Sequence, residues 1–272
     1  MPHPITLITG ASAGLGVEFA AQCAARGEEL VLVARRKERL DALAKTLPTK
    51  AHVFPLDLAS PDAAASLVNA IEAEGLTVAT LINNAGFGLA GKFAALPLAR
   101  QSEMIELNVR ALVELCRLVL PAMRERGEGA ILNVASTAAF QPGPNMAVYY
   151  ASKAFVLSFS EALHHELKGS GIKVSCLCPG PTESEFAEVA NSRSPALERI
   201  KVPAAPVVRA GLAGLERNKA VVVPGLPNKL TSQASRFLTP REALTAPPPT
   251  GVLERQISSV PECTRRRFCG SM

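Results

Sequence analysis

A tyrosine and a lysine four residues apart, Tyr149 and Lys153, form the pair best suited to acid–base chemistry in this sequence. Their segment has helical patterning, so the two side chains share one helix face, one turn apart. A phenol ordinarily has a pKa of about 10, poorly matched to proton transfer at neutral pH. A neighbouring ammonium stabilises the phenolate and lowers that pKa. The spacing therefore predicts a proton-transfer group. Tyr150 is an equally plausible phenol by composition, but only Tyr149 has a lysine at this spacing.

Two polar residues further upstream extend this set. Ser136, thirteen residues before the tyrosine, can hydrogen-bond an oxygen on which negative charge develops. Thr137 offers an alternative hydroxyl, because it is the next residue. Asn108 lies in a long helical segment, where an asparagine can also simply bond its own helix backbone. Taken alone, Asn108 is therefore ambiguous.

A glycine-rich turn lies where the first apolar run meets the first helical segment, and it reads Thr9-Gly10-Ala11-Ser12-Ala13-Gly14-Leu15-Gly16. Glycines permit a tight turn and let the backbone approach a pyrophosphate, whose charge the next helix N-terminus favours. Because a strand precedes this turn and a helix follows it, dinucleotide binding is favoured over a turn without a ligand. The expected contacts are Gly10, Ser12, Gly14, Leu15 and Gly16.

The choice between the two nicotinamide dinucleotides is expected at the end of the second strand. NAD sites commonly carry an acid there, whereas NADP sites carry an arginine. This strand ends Val33-Ala34-Arg35-Arg36, without an acid. Arg35 can offer a guanidinium to the 2′-phosphate, and Ser12 can add a hydroxyl. The pattern predicts NADP(H) in preference to NAD(H), although two solvated charges at a helix start are the competing interpretation.

The elements that must position these residues alternate between short apolar runs and longer amphipathic segments. The predicted strands are Ile5–Thr9, Leu30–Ala34, His52–Leu56, Ala79–Ile82, Ala130–Ala135, Lys173–Cys178 and Ala220–Val223. The predicted helices are Leu15–Arg26, Lys37–Thr46, Pro61–Glu74, Ala99–Arg126, Val148–Lys168 and Pro203–Glu216. This order predicts an α/β protein with a single Rossmann-type doubly wound domain: a seven-stranded parallel sheet with helices on both faces. Ligands are expected beyond the carboxyl ends of the strands.

Two regions depart from this alternation. Residues 181–201 are polar and fit a loop over a site, whereas the alternation stops near Ser232 and three prolines follow at 247–249. We therefore expect a Rossmann-fold domain over residues 1–231 with a substrate loop at about 181–201. Residues 232–272 are expected to form an irregular or disordered tail.

The chain resembles the short-chain dehydrogenases/reductases from its first strand to about Val223. The resemblance rests on an ordered set of motifs: the glycine-rich turn, Asn83-Asn84-Ala85-Gly86, Asn108, Ser136, Tyr149-x-x-x-Lys153 and Pro179-Gly180. It implies hydride transfer between NADP(H) and a carbonyl or alcohol carbon. Tyr149 would then donate or accept the proton, and Lys153 would also hold the nicotinamide ribose. Asn108 would hold a water that links Lys153 to solvent.

The resemblance also implies the remaining cofactor contacts. Asp57 would lie by the adenine ring, although a helix cap is its alternative role. The turn Asn83-Asn84-Ala85-Gly86, here called the asparagine turn, would line the adenosine ribose. Thr182 would lie near the nicotinamide carboxamide, with Ser184 as an alternative hydroxyl. The further expected cofactor-binding residues are Leu58, Asn84, Ala85, Gly86, Tyr149, Lys153, Pro179 and Gly180.

Substrate and partners are less sharply defined. Residues 139–148 and 181–201 are expected to contact the substrate, and Phe140, Met146, Phe186 and Val189 suggest an apolar pocket for a small carbonyl or alcohol compound. Family members usually associate through the two long helices, so a homodimer or homotetramer is expected.

Composition argues against several other classes of protein. No apolar run is long enough for a membrane span, and no signal-peptide pattern opens the chain, so we expect the cytoplasm. No metal site is expected, because Cys176 and Cys178 lack further ligands nearby. His164 and His165 lie too far along the helix from Lys153 to join it, and we interpret them as structural.

Three functional hypotheses follow. The first is an NADP(H)-dependent carbonyl reductase or alcohol dehydrogenase. The second is a catalytically silent NADP(H)-binding regulatory protein. The third is a nucleic-acid-binding protein, which rests only on a net charge of +5 and the run Arg265–Arg267. With two tyrosines and no tryptophan, a base-stacking surface is hard to build, so no nucleic-acid partner is expected.

Overall fold

The protein is described by a computed structural model over residues 2–190 and 201–234. The strands are β1 His3–Thr9, β2 Leu30–Ala34, β3 Ala51–Pro55, β4 Leu76–Asn83, β5 Gly129–Val134, β6 Ile172–Leu177 and β7 Val221–Val222. The helices are α1 Leu15–Ala24, α2 Lys37–Thr46, α3 Ala63–Ala73, α4 Leu98–Ile105, α5 Ala111–Arg126, α6 Ala147–Glu166, α7 Phe186–Val189, α8 Ala204–Glu216 and α9 Leu226–Ala234.

The strands of the described chain form one sheet of seven, in the order β3-β2-β1-β4-β5-β6-β7, with every neighbouring pair parallel. The order reverses between β1 and β4, which leaves a crevice at their carboxyl ends. The predicted Rossmann-type fold, with its seven-stranded parallel sheet, is confirmed. The reversal puts the glycine-rich turn after β1 next to the asparagine turn after β4.

Helices cover both faces of the sheet, which explains the continuous apolar strands. On one face α3, α5 and α6 contribute Leu67, Leu115 and Val156, each no more than 1% exposed. On the other face Phe19 of α1 and Val208 of α8 are fully buried. A strand covered on both sides has no solvent face to carry polar residues, so runs such as Leu30–Ala34 lack alternation.

The long helix predicted over Ala99–Arg126 is interrupted. A π-helical segment, Glu106–Arg110, joins α4 to α5, so one extra residue is accommodated in the turn that contains Asn108. Such segments often occur at functional sites. The sequence analysis predicted one continuous helix here and did not reveal the π-helical segment.

The carboxyl-terminal boundary also differs from the expected one. α9 runs from Leu226 to Ala234 and therefore crosses the expected boundary at residue 232. The remainder of the expected tail, residues 235–272, lies outside the described residues. The same holds for residues 191–200 of the expected substrate loop, whose described part contains α7 and a bridge between Thr182 and Val202.

No helix within residues 2–190 and 201–234 is long and apolar enough to cross a membrane. The same residues contain no group of three or more His, Cys, Asp or Glu side chains suited to a metal ion. Cys176 and Cys178 are both fully buried in β6 and its end, as plain packing thiols would be. The cytoplasmic location remains a prediction from the sequence.

The central strand offers a test of this packing. Leu81 in β4 is fully buried and Leu98, at the start of α4, is 76% exposed. We expect Leu81→Ala to lower the free energy of unfolding by about 2–5 kcal/mol, because it removes buried contacts and leaves a cavity. The matched change Leu98→Ala should cost less than about 0.5 kcal/mol. Denaturant unfolding of both variants measures this, and similar losses from the two would contradict the packing described.

Candidate active site

The site residues come from turns and helix faces that meet at the carboxyl edge of the sheet. The turns after β1, β4, β5 and β6 lie side by side there, because those strands are neighbours with one direction. The glycine-rich turn, the asparagine turn, Ser136 and Pro179-Gly180 follow these four strands in that order.

The glycine-rich turn needs glycine at three positions. Gly10 and Gly14 have φ angles of 67° and 55°, in the left-handed region, where a side chain is strained. A Cβ at Gly16 would lie 2.2 Å from the carbonyl oxygen of Gly10. Within the described chain no side chain caps the N-terminus of α1, which leaves its first amides available to an anion. These features fit a pyrophosphate cradle.

The asparagine turn is fastened to the glycine-rich turn. The backbone amides of Asn84 and Ala85 both donate to the hydroxyl of Thr9, at 3.0 Å each. The side-chain amide of Asn84 donates to the carbonyl oxygens of Thr9 at 3.0 Å and Gly10 at 3.2 Å. Asn84 therefore builds the crevice. The sequence analysis did not predict a role for Thr9, although it is the first residue of the glycine-rich turn. Its hydroxyl accepts the hydrogen bonds that join the two turns.

Ser136 and Tyr149 meet across the crevice. Ser136 follows β5 by two residues, and its hydroxyl accepts a hydrogen bond from the backbone amide of Ala138 at 3.1 Å. Tyr149, in the first turn of α6, is only 7% exposed. Burial raises the pKa of its phenol to about 12, and a hydrogen bond with Ser136 acts in the opposite direction. The structure thus brings together the predicted phenol and hydroxyl, and the alternative Thr137 does not take that place.

Lys153 is buried beside them, at 6% exposure. Its Nζ donates to the carbonyl oxygen of Val134 at 2.8 Å. Burial lowers the pKa of this ammonium to about 8, since the charged form loses its hydration. The expected lowering of the Tyr149 pKa by this ammonium is not found in this structure. Burial of the phenol dominates, and the lysine bonds Val134.

Asn108 is held by the turn after β4. Its side-chain amide donates to the carbonyl oxygen of Phe87 at 2.9 Å and to the Ser152 hydroxyl at 3.1 Å. Its Oδ1 accepts from the Phe87 amide at 3.0 Å. The asparagine therefore bonds another element and not its own helix. A Cβ on Gly86 would lie 2.9 Å from Asn108 Oδ1 and 3.5 Å from Lys153 Nζ, so a glycine here leaves room for both side chains.

The two arginines after β2 point to different partners. Arg35 forms an ion pair with Glu103 at 3.2 Å and lies 3.8 Å from Asp57. Arg36 instead contacts Ser12 of the glycine-rich turn, with Nη2 3.2 Å from the hydroxyl. The sequence favoured Arg35 as the phosphate ligand, whereas in this structure Arg36 is the arginine that touches the cradle. Which arginine faces the cradle depends on the path of the chain into α2. The sequence does not reveal that path, because both positions are arginine.

The other expected adenine-side residues lie after β3. Asp57 accepts a hydrogen bond from the backbone amide of Ala59 at 3.0 Å, as in a turn, besides lying near Arg35. The neighbouring Leu58 is 4% exposed and belongs to the core. Both remain predictions as cofactor contacts.

The segment after β6 turns back over the crevice. The hydroxyl of Thr182 donates to the carbonyl oxygen of Gly180 at 2.9 Å, and that of Ser184 donates to the carbonyl oxygen of Thr182 at 3.3 Å. Gly180 also packs against α9, because a Cβ there would lie 2.6 Å from the amide of Asn228. The carbonyl oxygen of Pro179 lies 3.5 Å from the Ser136 hydroxyl. The choice between Thr182 and Ser184 stays open.

The expected apolar pocket is only partly assembled from the predicted residues. Phe186 and Met146 pack around Tyr149, and the Phe186 and Tyr149 ring centroids are 5.1 Å apart. Phe140 packs against the main core instead. The side chain of Val189 lies outside the description. Gly88, unnoticed in the sequence, leaves room for Phe186, whose Cζ would lie 2.7 Å from a Cβ there.

The histidines at the far end of α6 take no part in this site. Nδ1 of His164 lies 2.7 Å from the carbonyl oxygen of Val174, on the strand that α6 covers. This contact agrees with a structural role.

Comparison with known proteins now decides the family. The sequence model of the short chain dehydrogenase family matches residues 4–195. The chain belongs to the short-chain dehydrogenase/reductase family. Sulfoacetaldehyde reductase 2 of Chromohalobacter salexigens is 40% identical over 189 residues, which cover 68% of this chain and 75% of that relative.

Solved structures agree with this membership. A short-chain dehydrogenase from Sphingobium yanoikuyae in complex with NADPH has a TM-score of 0.77 at 32% identity, over 97% of this chain and 98% of the other. A short-chain dehydrogenase/reductase from Burkholderia phymatum in complex with NAD has a TM-score of 0.77 at 26% identity, over 85% and 92% of the two chains. This short-chain dehydrogenase is thus a nucleotide-binding oxidoreductase that acts on alcohol or carbonyl groups.

The buried lysine gives a pH-dependent prediction. Between pH 8 and the ordinary lysine value of 10.5, the unfolded chain binds more protons at this position than the folded one. Stability of the wild type should therefore rise with pH across that interval. Lys153→Met lacks the titrating group. We expect the free energy of unfolding of the wild type, minus that of Lys153→Met, to rise by about 2 kcal/mol from pH 7 to pH 10.

Denaturant unfolding at both pH values measures this difference. Lys173→Met, which changes an exposed lysine of β6, serves as the control and should show little pH-dependent difference from the wild type. A difference for Lys153→Met that stays flat between pH 7 and pH 10 would contradict the burial of a charged ammonium.

Proposed function

We propose that this short-chain dehydrogenase is an NADP(H)-dependent enzyme that reduces a carbonyl group to an alcohol, or runs the reverse reaction, with Tyr149 as the proton donor or acceptor. The observation that carries the proposal is the convergence of four side chains beside the crevice between β1 and β4. Ser136 lies near enough to Tyr149 to lower the pKa of its phenol, while Lys153 and Asn108 both border Gly86.

The residues that would hold the dinucleotide are those of the cradle. Gly10, Gly14 and Gly16 with the N-terminus of α1 suit the pyrophosphate, and the turn at 84–86 borders the same crevice. When bound, NADPH supplies the hydride. Thr182, Pro179 and Gly180 lie on the side of Ser136, which suits the nicotinamide end.

Side chains of this protein would bind the substrate oxygen and supply its proton. Ser136 donates a hydrogen bond to that oxygen as negative charge develops on it. Tyr149, whose raised pKa keeps the phenol protonated at neutral pH, donates the proton from its hydroxyl. Lys153, one helical turn further along α6, would favour the phenolate that is left behind once its ammonium turns from the Val134 carbonyl oxygen towards the crevice. Asn108 fixes the turn beside the lysine through Phe87 and is suited to hold a water there.

Preference for NADP(H) is supported by charge. The end of β2 carries no acid, and Arg36 lies against Ser12 of the cradle. A guanidinium with a neighbouring hydroxyl suits a 2′-phosphate. Solved relatives hold either NADPH or NAD, so the family by itself does not decide between them.

The substrate we propose is a small, largely apolar carbonyl or alcohol compound. Phe186 packs on Tyr149, and Met146 and Leu89 pack against the same apolar cluster. Association into a homodimer or homotetramer through α4–α5 and α6 is part of the same proposal, and the exposed ring of Phe155 on α6, stacked on Phe159, suits such a contact.

Tyr149→Phe tests the proton donor. It removes the hydroxyl alone, so we expect turnover to fall by at least about a hundredfold with NADPH binding unchanged. Steady-state kinetics on a carbonyl panel and fluorescence titration with NADPH measure the two effects. Tyr150→Phe is the matched control and should keep most of the turnover. Near-normal turnover in Tyr149→Phe would reject the assignment. A wild type that binds NADPH yet stays inert across the panel would favour the regulatory alternative.

Arg36→Ala and Arg35→Ala test the cofactor preference. We expect Arg36→Ala to weaken NADPH binding by about tenfold or more and leave NADH binding almost unchanged, because only NADPH carries the 2′-phosphate. The paired Arg35→Ala variant measures how far the other arginine shares this role. Dissociation constants from nicotinamide fluorescence give the comparison. A wild type that binds NADH at least as tightly as NADPH would overturn the proposed preference.

A further inference from the structure

The carboxylate of Glu185 occupies the cationic corner of the cofactor crevice. It lies between two arginines of the α2 region: Arg36 donates to it at 2.9 Å, and Arg39 donates to its other oxygen. These hydrogen bonds hold the pKa of Glu185 below its ordinary range, so the group is an anion at neutral pH. Glu185 belongs to the segment after β6, nearly 150 residues away along the chain.

The same arginine serves the glycine-rich turn. Nε and Nη2 of Arg36 lie 3.3 and 3.2 Å from the hydroxyl of Ser12, and Nη2 lies 3.4 Å from the Ser12 carbonyl oxygen. The guanidinium thus has one edge on the cradle and Nη1 on Glu185. Any anion that takes hydrogen bonds from Nη1 and from Arg39 has to displace this carboxylate, because like charges repel and the donors are shared.

The two residues that flank Glu185 reach both halves of the crevice. A Cβ on Gly14 would lie 2.8 Å from the Cβ of Ser184, so this segment rests on the glycine-rich turn. On the other side Phe186 packs on the ring of Tyr149 at 5.1 Å between centroids. A stretch of three residues therefore spans from the phosphate end to the proposed proton donor, with the Glu185 ion pairs between these two contacts.

We propose that Glu185 is a specificity-determining residue that competes with the 2′-phosphate of the dinucleotide for Arg36 and Arg39. The inference rests on the proposed NADP(H) preference. A nucleotide with a 2′-phosphate replaces the carboxylate and frees the segment 184–186 from the arginines. A nucleotide without that phosphate leaves the ion pairs in place. Glu185 thereby reduces the affinity for NADP(H) and sets how strongly the enzyme discriminates between the two cofactors.

Glu185→Gln in the full-length protein tests the competition, since it keeps the side-chain shape and removes the charge. The probes are adenosine 2′,5′-bisphosphate and adenosine 5′-monophosphate, which differ only in the 2′-phosphate. We expect Glu185→Gln to bind the bisphosphate about three- to tenfold more tightly, with binding of the monophosphate unchanged. Isothermal titration calorimetry measures both, and needs no turnover.

Glu183→Gln is the matched control. Glu183 is exposed and lies two residues before Glu185, and its substitution removes the same charge. It should change neither affinity. Bisphosphate affinity that is unchanged or weaker in Glu185→Gln overturns the inference, as does an equal gain for both probes, which would reflect general charge alone.

The wild type separates this inference from the proposed function. If it favours the bisphosphate and Glu185→Gln adds nothing, the competition is wrong while the NADP(H) preference stands. If the wild type shows no preference and Glu185→Gln gains one, the proposed preference is wrong and the competition stands. If neither protein prefers the bisphosphate, both proposals are wrong.

Discussion

Burial of a single ammonium group is the constraint around which this site is arranged. Lys153 is only 6% exposed, and charge in such a position is unfavourable unless it finds compensating dipoles. Its Nζ donates a hydrogen bond to the carbonyl oxygen of Val134, at the end of β5. The end of β5 and the first turns of α6 are thereby held together, and Ser136 is placed near enough to Tyr149 to influence the pKa of its phenol. A fold that favoured stability alone would have an apolar side chain at this position.

The parallel sheet makes that arrangement possible. The turns that follow the four neighbouring strands β1, β4, β5 and β6 lie at one edge of the sheet. The reversal of strand order opens a crevice between β1 and β4. Thr9 then binds the amides of Asn84 and Ala85, so the two walls of the crevice are joined by hydrogen bonds and not merely adjacent. Asn108, in the π-helical segment before α5, donates a hydrogen bond to the carbonyl oxygen of Phe87 and so attaches that segment to the chain after β4. The crevice is therefore largely formed by the chain itself.

Much of this could be predicted from the sequence, for identifiable reasons. Backbone geometry requires glycine at positions 10, 14 and 16, so the glycines themselves reveal the turn. Tyr149 and Lys153 are one helical turn apart, so their spacing reveals that they share a helix face. The partner of a flexible side chain is different. Arg35 and Arg36 are indistinguishable in the sequence, yet one meets Glu103 and the other Ser12. The position of Glu185 could not be predicted from the sequence either, because it depends on how the segment after β6 folds back against α2.

The phenol of Tyr149 is the proposed proton-transfer group, and the chain has only two tyrosines, so both can be followed individually. Carbon-13 labelling of the tyrosine ring carbon that bears the hydroxyl, with NMR titration and assignment through Tyr149→Phe, gives the pKa of each phenol. In the free protein the Tyr149 signal should titrate near pH 12, as its burial requires. On saturation with NADP⁺ it should titrate at a clearly lower pH, because the positive charge of the bound nicotinamide ring favours the phenolate, whereas Tyr150 should change little. An unchanged Tyr149 titration with bound NADP⁺, or a change confined to Tyr150, would contradict the assignment of Tyr149 as the proton-transfer group.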